Sequence, residues 1–200
     1  KAINGDQLTN PLSKRLLLLD LDSSLEHIQK EEVALLRQSL EKDGAAVNGL
    51  GVITGRSIAS ARYRYSELCL PMPRVWICRA GTQIYYCQEN DLDPFWQLII
   101  NHDWDRQAVE SALSDLKEHL LLQELEQQGP FKVSYLLKEP GESILPLVRK
   151  RLRQRSQAAR PHLRCHWYLD VVPLRASRAE AIRHLVLRWG VPLDQVFVVA

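Results

Sequence analysis

The sequence predicts an α/β fold, in which a doubly wound, mainly parallel sheet carries an inserted α+β module. Three observations support this prediction. The four leucines Leu16 to Leu19 indicate a strand buried on both faces. Apolar residues at helical spacing alternate with short apolar runs up to Tyr86 and again near the carboxyl end. Between these two regions an alternating strand pattern and an aromatic segment predict a separate module.

Composition limits the class of protein and its partners. The 200 residues are 46% hydrophobic and 25% charged, which is typical of a globular protein with a sizeable core. The net charge of +2 indicates no polyanionic partner, and the basic run Arg149 to Arg155 is interpreted as a solvated helix face. No apolar run approaches the roughly 18 residues that span a membrane. We therefore expect a cytoplasmic protein that binds neither nucleic acid nor membrane.

The first core segment is predicted to span residues 16–86, after a polar entry segment or linker at residues 1–15. Gly49 and Gly51 lie before or within a strand rather than after it, which excludes a dinucleotide-binding motif. The predicted elements are the first strand, a helix with Val33, Leu36 and Leu40, a strand from Val47 to Ile53, a helix from Ile58, and a third strand from Val75 to Cys78 that leads into residues 79–86.

Residues 87–167 are predicted to form the inserted module, a cap, and residues 168–200 the second core segment. The cap elements are a helix with Val109, Ala112, Leu113 and Leu116, a half-buried strand from Phe131 to Leu137, a helix with Ile144, Val148 and Leu152, and a strand from Leu163 to Leu169. The second core segment is predicted to contain Asp170 to Pro173, a helix ending near Trp189, and a strand from Val196 to Val199.

Candidate functional residues follow the first two core strands. Asp20 and Asp22 end the leucine strand, and ligands of open α/β sheets bind beyond the carboxyl ends of the strands. Two neighbouring carboxylates favour a hard cation such as Mg²⁺, although an acidic solvated turn is an open alternative. Thr54-Gly55-Arg56-Ser57 follows the next strand, where a hydroxyl, a glycine and a helix amino terminus together favour a phosphoryl group.

These motifs, with a basic residue that begins a late helix, resemble the haloacid-dehalogenase superfamily of phosphotransferases. Four segments, one of which contains the Thr54-Gly55-Arg56 motif, resemble sucrose-phosphate phosphatases, and the related carboxyl-terminal domain of sucrose-phosphate synthases, in order and spacing. The resemblance covers nearly the whole chain from Leu16. The segments are Val52 to Ser57, Ala80 to Tyr85, Phe131 to Tyr135 and Asp170 to Pro173.

The resemblance implies specific roles. Asp20 is expected to be the nucleophile, and Asp22 the general acid that later activates water. Mg²⁺ is the expected cofactor, with Asp20 and Asp22 as metal ligands, and the cap is expected to bind the sugar. The catalytic residues implied are Asp20, Asp22, Thr54 and Arg178; the substrate-binding residues implied are Ser24, Gly55, Arg56 and Lys132.

The sequence departs from the family pattern at three places. Ser23-Ser24 stands where Gly-Thr is common, Arg178 stands where lysine is expected, and the final acidic loop is expected beyond Ala200. With Lys1 as the first residue, these departures favour one hypothesis. It is a sucrose-phosphate-phosphatase-like domain of sucrose biosynthesis that ends a sucrose-phosphate synthase chain and binds sucrose 6-phosphate with attenuated or absent hydrolysis.

In that hypothesis, a glycosyltransferase module of the same chain transfers glucose from a nucleotide sugar to fructose 6-phosphate. The alternative is an active Mg²⁺-dependent sucrose 6-phosphate phosphohydrolase that works through an aspartyl-phosphate intermediate.

Overall fold

The computed structural model of the chain describes residues 15–23, 28–42, 49–86 and 91–199. These residues form two sheets and the helices that pack on them. The strands are β1 (Leu16–Asp20), β2 (Leu50–Ile53), β3 (Val75–Cys78), β4 (Gln83–Tyr86), β5 (Leu120–Leu122), β6 (Val133–Leu137), β7 (Ala159–Arg164), β8 (Tyr168–Pro173) and β9 (Val196–Val199). The α-helices are α1 (Lys30–Lys42), α2 (Ile58–Ser66), α3 (Pro94–Asn101), α4 (Arg106–Ala112), α5 (Leu145–Gln154) and α6 (Arg178–Trp189).

The first sheet has the strand order β4-β3-β2-β1-β9. Strands β1, β2, β3 and β9 are parallel, and only β4 runs antiparallel to its neighbour. Leu16, Leu18 and Leu19 are fully buried, which confirms the predicted α/β fold and its first strand. Because the parallel strands end on one edge, the residues after β1 and β2 lie close together.

Gly51 lets β1, β2 and β3 pack closely. A Cβ atom at Gly51 would lie 2.6 Å from Cδ2 of Leu18 and 2.7 Å from Cγ1 of Val75, which is too close for carbon atoms. The glycine therefore serves packing inside the sheet, and its position within β2 agrees with the exclusion of a dinucleotide-binding motif.

The second sheet is antiparallel, with the order β5-β6-β8-β7. Helices α4 and α5 contribute Val109, Val148 and Leu152 to the same apolar cluster as Tyr135 and Leu169 of the sheet. Strand alternation places these apolar side chains on one face, while Ser134 of β6 and Asp170 of β8 face the other way.

The described residues divide into two compact units. One contains the residues up to Asp93 and those from Arg178 onward, and the other is Pro94–Ser177. This division differs from the expected boundaries at 86/87 and 167/168. Asp170 to Pro173 was expected in the core, but β8 pairs with β6 on one side and β7 on the other. A short apolar run fits a central strand of either sheet, so its sequence does not specify which sheet it joins.

The predicted strand from Leu163 to Leu169 is instead a hairpin. Strand β7 ends at Arg164, and Cys165 and His166 turn the chain with φ angles of 48° and 59° before β8 begins. Neither residue is the glycine or asparagine that usually marks a left-handed turn, so the sequence carries no turn signal there.

The basic run of α5 lies on its solvent side. Arg149, Lys150 and Arg153 are exposed, whereas Val148 and Leu152 on the same helix are buried. This arrangement matches the interpretation of a solvated helix face. Within residues 15–23, 28–42, 49–86 and 91–199, no helix is long and apolar enough to cross a membrane.

We predict that Gly51→Ala lowers the free energy of unfolding by about 1–3 kcal/mol, because the added methyl group overpacks the space between β1 and β3. The measurement is the midpoint of urea denaturation. Ser60→Ala, at an exposed position of α2, is the control and changes stability by less than about 0.5 kcal/mol. Equal midpoints for wild type and Gly51→Ala would show that the sheet has room for the methyl group.

Candidate active site

Two carboxylates stand where β1 ends. Asp20 is the last residue of the strand and is buried, with 6% of its surface exposed. Its Oδ1 accepts a hydrogen bond from the Asp22 amide at 3.0 Å. The amide of Leu21 still donates to the Ile53 carbonyl of β2 at 2.9 Å, so the chain leaves the sheet only at Asp22. Both side chains are therefore held by sheet geometry rather than by a free loop.

Asp22 accepts hydrogen bonds from four donors. Its Oδ1 accepts from Thr54 Oγ1 at 2.8 Å and from Arg56 Nε at 3.2 Å. Its Oδ2 accepts from the Gly55 amide at 2.6 Å and from Arg178 Nη2 at 3.0 Å. Charged donors make such bonds stronger than neutral ones. Asp22 thus joins the end of β1 to the loop after β2 and to the start of α6.

The Thr54-Gly55-Arg56-Ser57 loop is organised by its own side chains. Thr54 is fully buried, its amide donates to the Ile77 carbonyl at 2.9 Å, and its Oγ1 accepts from the Arg56 amide at 3.1 Å. Ser57 is the N-cap of α2 and accepts from the Ser60 amide at 3.3 Å. The loop therefore presents one hydroxyl, one glycine amide and one guanidinium at the carboxyl end of β2.

A left-handed turn supports this loop from the side of β3. Arg79, Ala80 and Gly81 have φ angles of 49°, 60° and 89°. The amides of Arg79 and Ala80 donate to the carbonyls of Arg56 and Thr54 at 3.1 and 3.4 Å. A left-handed conformation costs a non-glycine residue about 1–2 kcal/mol, so the surrounding contacts must hold it. Sequence analysis assigned no role to this turn, although Ala80-Gly81 carried part of the resemblance.

Arg178 bridges the two aspartates. It is the first residue of α6, and its Nη1 donates to Asp20 Oδ2 at 2.5 Å while its Nη2 donates to Asp22 Oδ2 at 3.0 Å. The planar guanidinium reaches both carboxylates at once, whereas a lysine would place one point charge there. The two contacts therefore depend on an arginine, which stands at this position in place of the lysine that the family pattern has.

The donor chemistry of Asp20 and Asp22 fits Mg²⁺. This cation prefers oxygen ligands and is often held by one or two carboxylates, with water and substrate phosphate completing its shell. Among the residues that the structure describes, no cluster of three or more His, Cys, Asp or Glu side chains suits a metal. Asp20 and Asp22 would supply two carboxylate ligands to such a cation.

Lys132 lies in the second unit and forms a buried ion pair. It is 1% exposed, and its Nζ lies 3.2 Å from Oδ1 of Asp170, which is fully buried. Asp170 also accepts from Ser134 Oγ at 2.6 Å and from Arg164 Nε at 2.8 Å. Burial raises the pKa of Asp170, but the two cations and these hydrogen bonds outweigh it and hold that pKa below its usual value. Lys132 is therefore part of a buried network in the second unit, and its expected role in substrate binding stays a prediction.

The structure brings most of the predicted site residues together. The residues that meet at one edge of the first sheet are Asp20, Asp22, Thr54, Gly55, Arg56 and Arg178. Ser24 lies outside the described residues, and Ser23 before it is exposed. Asp170 was missed as a partner of Lys132, since 38 residues separate them and only strand pairing joins β6 to β8.

The sequence profile of the sucrose-6F-phosphate phosphohydrolases matches residues 13–200. The chain belongs to that family. It is a sucrose-phosphatase-like domain of the haloacid-dehalogenase superfamily, associated with sucrose biosynthesis, and the predicted resemblance is confirmed.

Individual relatives agree with this family assignment. Sucrose-phosphatase 1 of Nicotiana tabacum is 31% identical over 90% of this chain and 43% of its own length. A probable sucrose-phosphate synthase of Oryza sativa subsp. indica is 28% identical over 62% of this chain and 13% of its own length. This chain thus spans less than half the length of each of these two relatives.

A solved structure shares the fold. The sucrose-phosphatase of Synechocystis sp. PCC6803, determined in complex with sucrose and phosphate, is 24% identical and superposes with a TM-score of 0.84. The match covers 94% of this chain and 75% of that protein.

We predict that Asp170→Asn lowers the free energy of unfolding by about 3–5 kcal/mol, because it leaves the Lys132 ammonium buried without its carboxylate. The lowered pKa of Asp170 means that its stabilisation is full above the unfolded-state value of about 3.9. The stabilisation is lost as the pH falls through the folded-state pKa. The difference between wild type and variant therefore shrinks below about pH 4.

Urea denaturation between pH 3 and 7 measures both effects. Asp115→Asn is the matched control, because Asp115 pairs with Arg151 in the same unit but is half exposed, and such pairs contribute at most about 1 kcal/mol. If Asp170→Asn and Asp115→Asn lowered the free energy of unfolding equally, the buried pair would contribute no more to stability than the exposed pair, and the prediction would be wrong.

Proposed function

We propose that this domain hydrolyses sucrose 6-phosphate with Mg²⁺, using Asp20 as the nucleophile. The observation that carries the proposal is the geometry around Asp20 and Asp22, which Arg178 bridges while Thr54, Gly55 and Arg56 donate to Asp22. Family membership supports the substrate class, and the related Synechocystis enzyme was solved with sucrose and phosphate.

The proposed reaction has two displacements at phosphorus. Asp20 attacks the phosphoryl group, and the bond from phosphorus to the sugar oxygen breaks as Asp22, which enters this step carrying a proton taken from solvent, gives that proton to the oxygen. Asp22 then takes a proton from water, whose oxygen attacks phosphorus and releases inorganic phosphate from Asp20. Asp22 must first exchange one of its present donors for the sugar oxygen, because it now accepts four hydrogen bonds.

The charges of the site support a divalent cation. Before Asp22 takes up the proton that it later donates, Asp20 and Asp22 carry two negative charges, and Arg56 and Arg178 carry two positive charges within hydrogen-bond distance. A bound phosphate dianion would leave two negative charges in excess. Mg²⁺, held by Asp20 and Asp22, would neutralise that charge and polarise the phosphoryl oxygens.

The donors around Asp22 are suited to the transferring phosphoryl group. The Thr54 hydroxyl, the Gly55 amide and the Arg56 guanidinium lie on one loop, and Arg178 faces them from α6. Donors fixed in advance stabilise charge that develops in the transition state without a cost for reorganisation. Oxygen atoms of the phosphoryl group would replace Asp22 as the acceptor of some of these bonds.

The inserted unit is proposed to bind the sugar. A contact between Lys132 and the substrate stays a prediction, and the pairing of Lys132 with Asp170 supports a further role in holding β6 to β8. Membership of a longer synthase chain with a glycosyltransferase module also stays a proposal. Its support is the likeness to the rice synthase over 62% of this chain.

A second candidate function is binding of sucrose 6-phosphate with attenuated hydrolysis. It is favoured by the Arg178 fork, which holds Asp20 and Asp22 together and therefore opposes the movement that Asp22 needs to deliver a proton. The two candidates make opposite predictions for a lysine at this position.

We predict that Asp20→Asn reduces Mg²⁺-dependent phosphate release from sucrose 6-phosphate to the uncatalysed background, because an amide cannot take the phosphoryl group. The assay follows inorganic phosphate released by the full-length protein, with and without a chelator. Asp194→Asn, an exposed carboxylate near β9, is the control and keeps wild-type activity. Release that persists in a folded Asp20→Asn variant would rule out Asp20 as the nucleophile.

We predict that Arg178→Lys lowers kcat by about 10-fold or more, because one ammonium cannot replace both arms of the guanidinium fork. Steady-state kinetics on sucrose 6-phosphate measures this change, and thermal unfolding checks that the variant is folded. A rise in kcat would instead support attenuated hydrolysis caused by the arginine.

A further inference from the structure

A third carboxylate of the first unit is buried away from Asp20 and Asp22. Asp93 has no exposed surface, and its amide donates to the Ile84 carbonyl of β4 at 2.8 Å. Its Oδ2 accepts a hydrogen bond from the Tyr86 hydroxyl at 2.7 Å. Burial and the nearby Asp93 carboxylate raise the pKa of Tyr86, so the phenol keeps its proton and remains a donor. Backbone and side chain together fix Asp93 to the β4 edge of the sheet.

The same carboxylate holds helix α6. Its Oδ2 lies 3.0 Å from Nε2 of His184, and its Oδ1 lies 3.6 Å from Nη1 of Arg188. These residues are four positions apart and therefore share one face of the helix. The Arg188 guanidinium also lies 5.9 Å from the ring centre of Tyr86, and the Trp189 ring lies 6.0 Å from it. The carboxyl-terminal half of α6 is thus anchored to the β4 edge.

The amino terminus of this helix carries Arg178. His184 and Arg188 follow it by six and ten residues, or about 9 and 15 Å along the axis. Gly190 follows the last residue of the helix, and its φ of 63° allows the Val191 amide to donate to the Val186 carbonyl at 3.1 Å. A short, capped helix moves as one body, so a displacement at Asp93 is carried to Arg178.

We infer that Asp93 is a positioning residue, which fixes α6 along its axis and thereby places the Arg178 guanidinium across Asp20 and Asp22. The two bonds of that guanidinium are 2.5 and 3.0 Å long, so a shift of about 1 Å would take one of them out of hydrogen-bonding range. The effect of Asp93 on catalysis rests on the proposed function. Its effect on the geometry of Arg178 does not.

A solely structural role for Asp93 makes a different prediction. Removing its charge would then lower stability because His184 and Arg188 lose a buried partner, but each folded molecule would keep its active-site geometry. A positioning role requires that Arg178 itself respond. The test must therefore observe Arg178 as well as stability.

The first measurement is the ¹⁵N spectrum of the arginine Nε–Hε groups in the full-length protein. The Arg178 resonance is identified by its absence in Arg178→Lys. Asp93→Asn keeps the size of the side chain and is expected to shift or broaden that resonance. Asp91→Asn, at an exposed position two residues earlier, is the matched control and leaves it in place. An unmoved Arg178 resonance in folded Asp93→Asn would overturn the inference, whether or not the wild type releases phosphate.

The second measurement is kinetic and is made well below the unfolding midpoint. Asp93→Asn is expected to lower kcat for phosphate release from sucrose 6-phosphate by about 10- to 100-fold per folded molecule, with little change in KM. In the Arg178→Lys background, the same change is expected to lower kcat by less than about 2-fold, because the two residues act through one contact. An undiminished loss in that background would overturn the inference.

Two further results distinguish a failure of the proposed function from a failure of the inference about Asp93. A wild type that releases no phosphate contradicts the proposed function, while the Arg178 resonance still decides the role of Asp93. If Asp93→Asn does not fold, Arg188→Met removes the longer of the two contacts between Asp93 and α6, together with the contact between the guanidinium and the Tyr86 ring, and keeps the contact with His184. That variant is expected to move the Arg178 resonance in the same direction by a smaller amount, and no movement would overturn the inference.

Discussion

The repulsion between two carboxylates at the end of one buried strand is the constraint on which the site depends. Asp20 is the last residue of β1 and Asp22 follows it by two positions, so the end of the strand holds the two carboxylates close together. Like charges held so close require compensating cations. Arg56 comes from the loop after β2, and Arg178 comes from a helix more than 150 residues later in the chain. The parallel sheet and the return of α6 to it therefore assemble the pair and its counter-charges together.

Buried charge organises both units. In the first unit, Asp93 contacts Tyr86 of β4 and both His184 and Arg188 of α6. In the second unit, Asp170 of β8 pairs with Lys132, which precedes β6, and with Arg164 of β7. In each case a buried carboxylate is compensated by cationic or hydrogen-bonding groups from other positions in the fold. A buried charge without a partner costs several kcal/mol, so each of these contacts favours one arrangement of its elements over alternatives of similar hydrophobic packing. Such contacts therefore add to apolar packing in determining where α6 and β8 lie.

Several features of the site followed from residue order and the rules of α/β sheets. The leucine strand, the two acids after it and the Thr54-Gly55-Arg56 loop were predictable, because parallel strands end at one edge of a sheet. Arg178 was located only through the family resemblance, since an arginine at a helix start has no distinctive pattern of its own. The pairing of Lys132 with Asp170 and the support of the loop by Arg79 and Ala80 were not predictable, because each depends on contacts across strands.

The sequence by itself determined the fold class, the positions of the core strands along the chain and the residues that follow β1 and β2, because hydrophobic periodicity and strand ends are local properties of the chain. Tertiary structure alone decided that Asp170 to Pro173 belongs to the second sheet, and that Lys132 is buried rather than solvated. It also decided that Asp93 anchors the helix that carries Arg178. Short apolar runs and single charged residues are compatible with several environments, and only pairing between distant segments selects one of them.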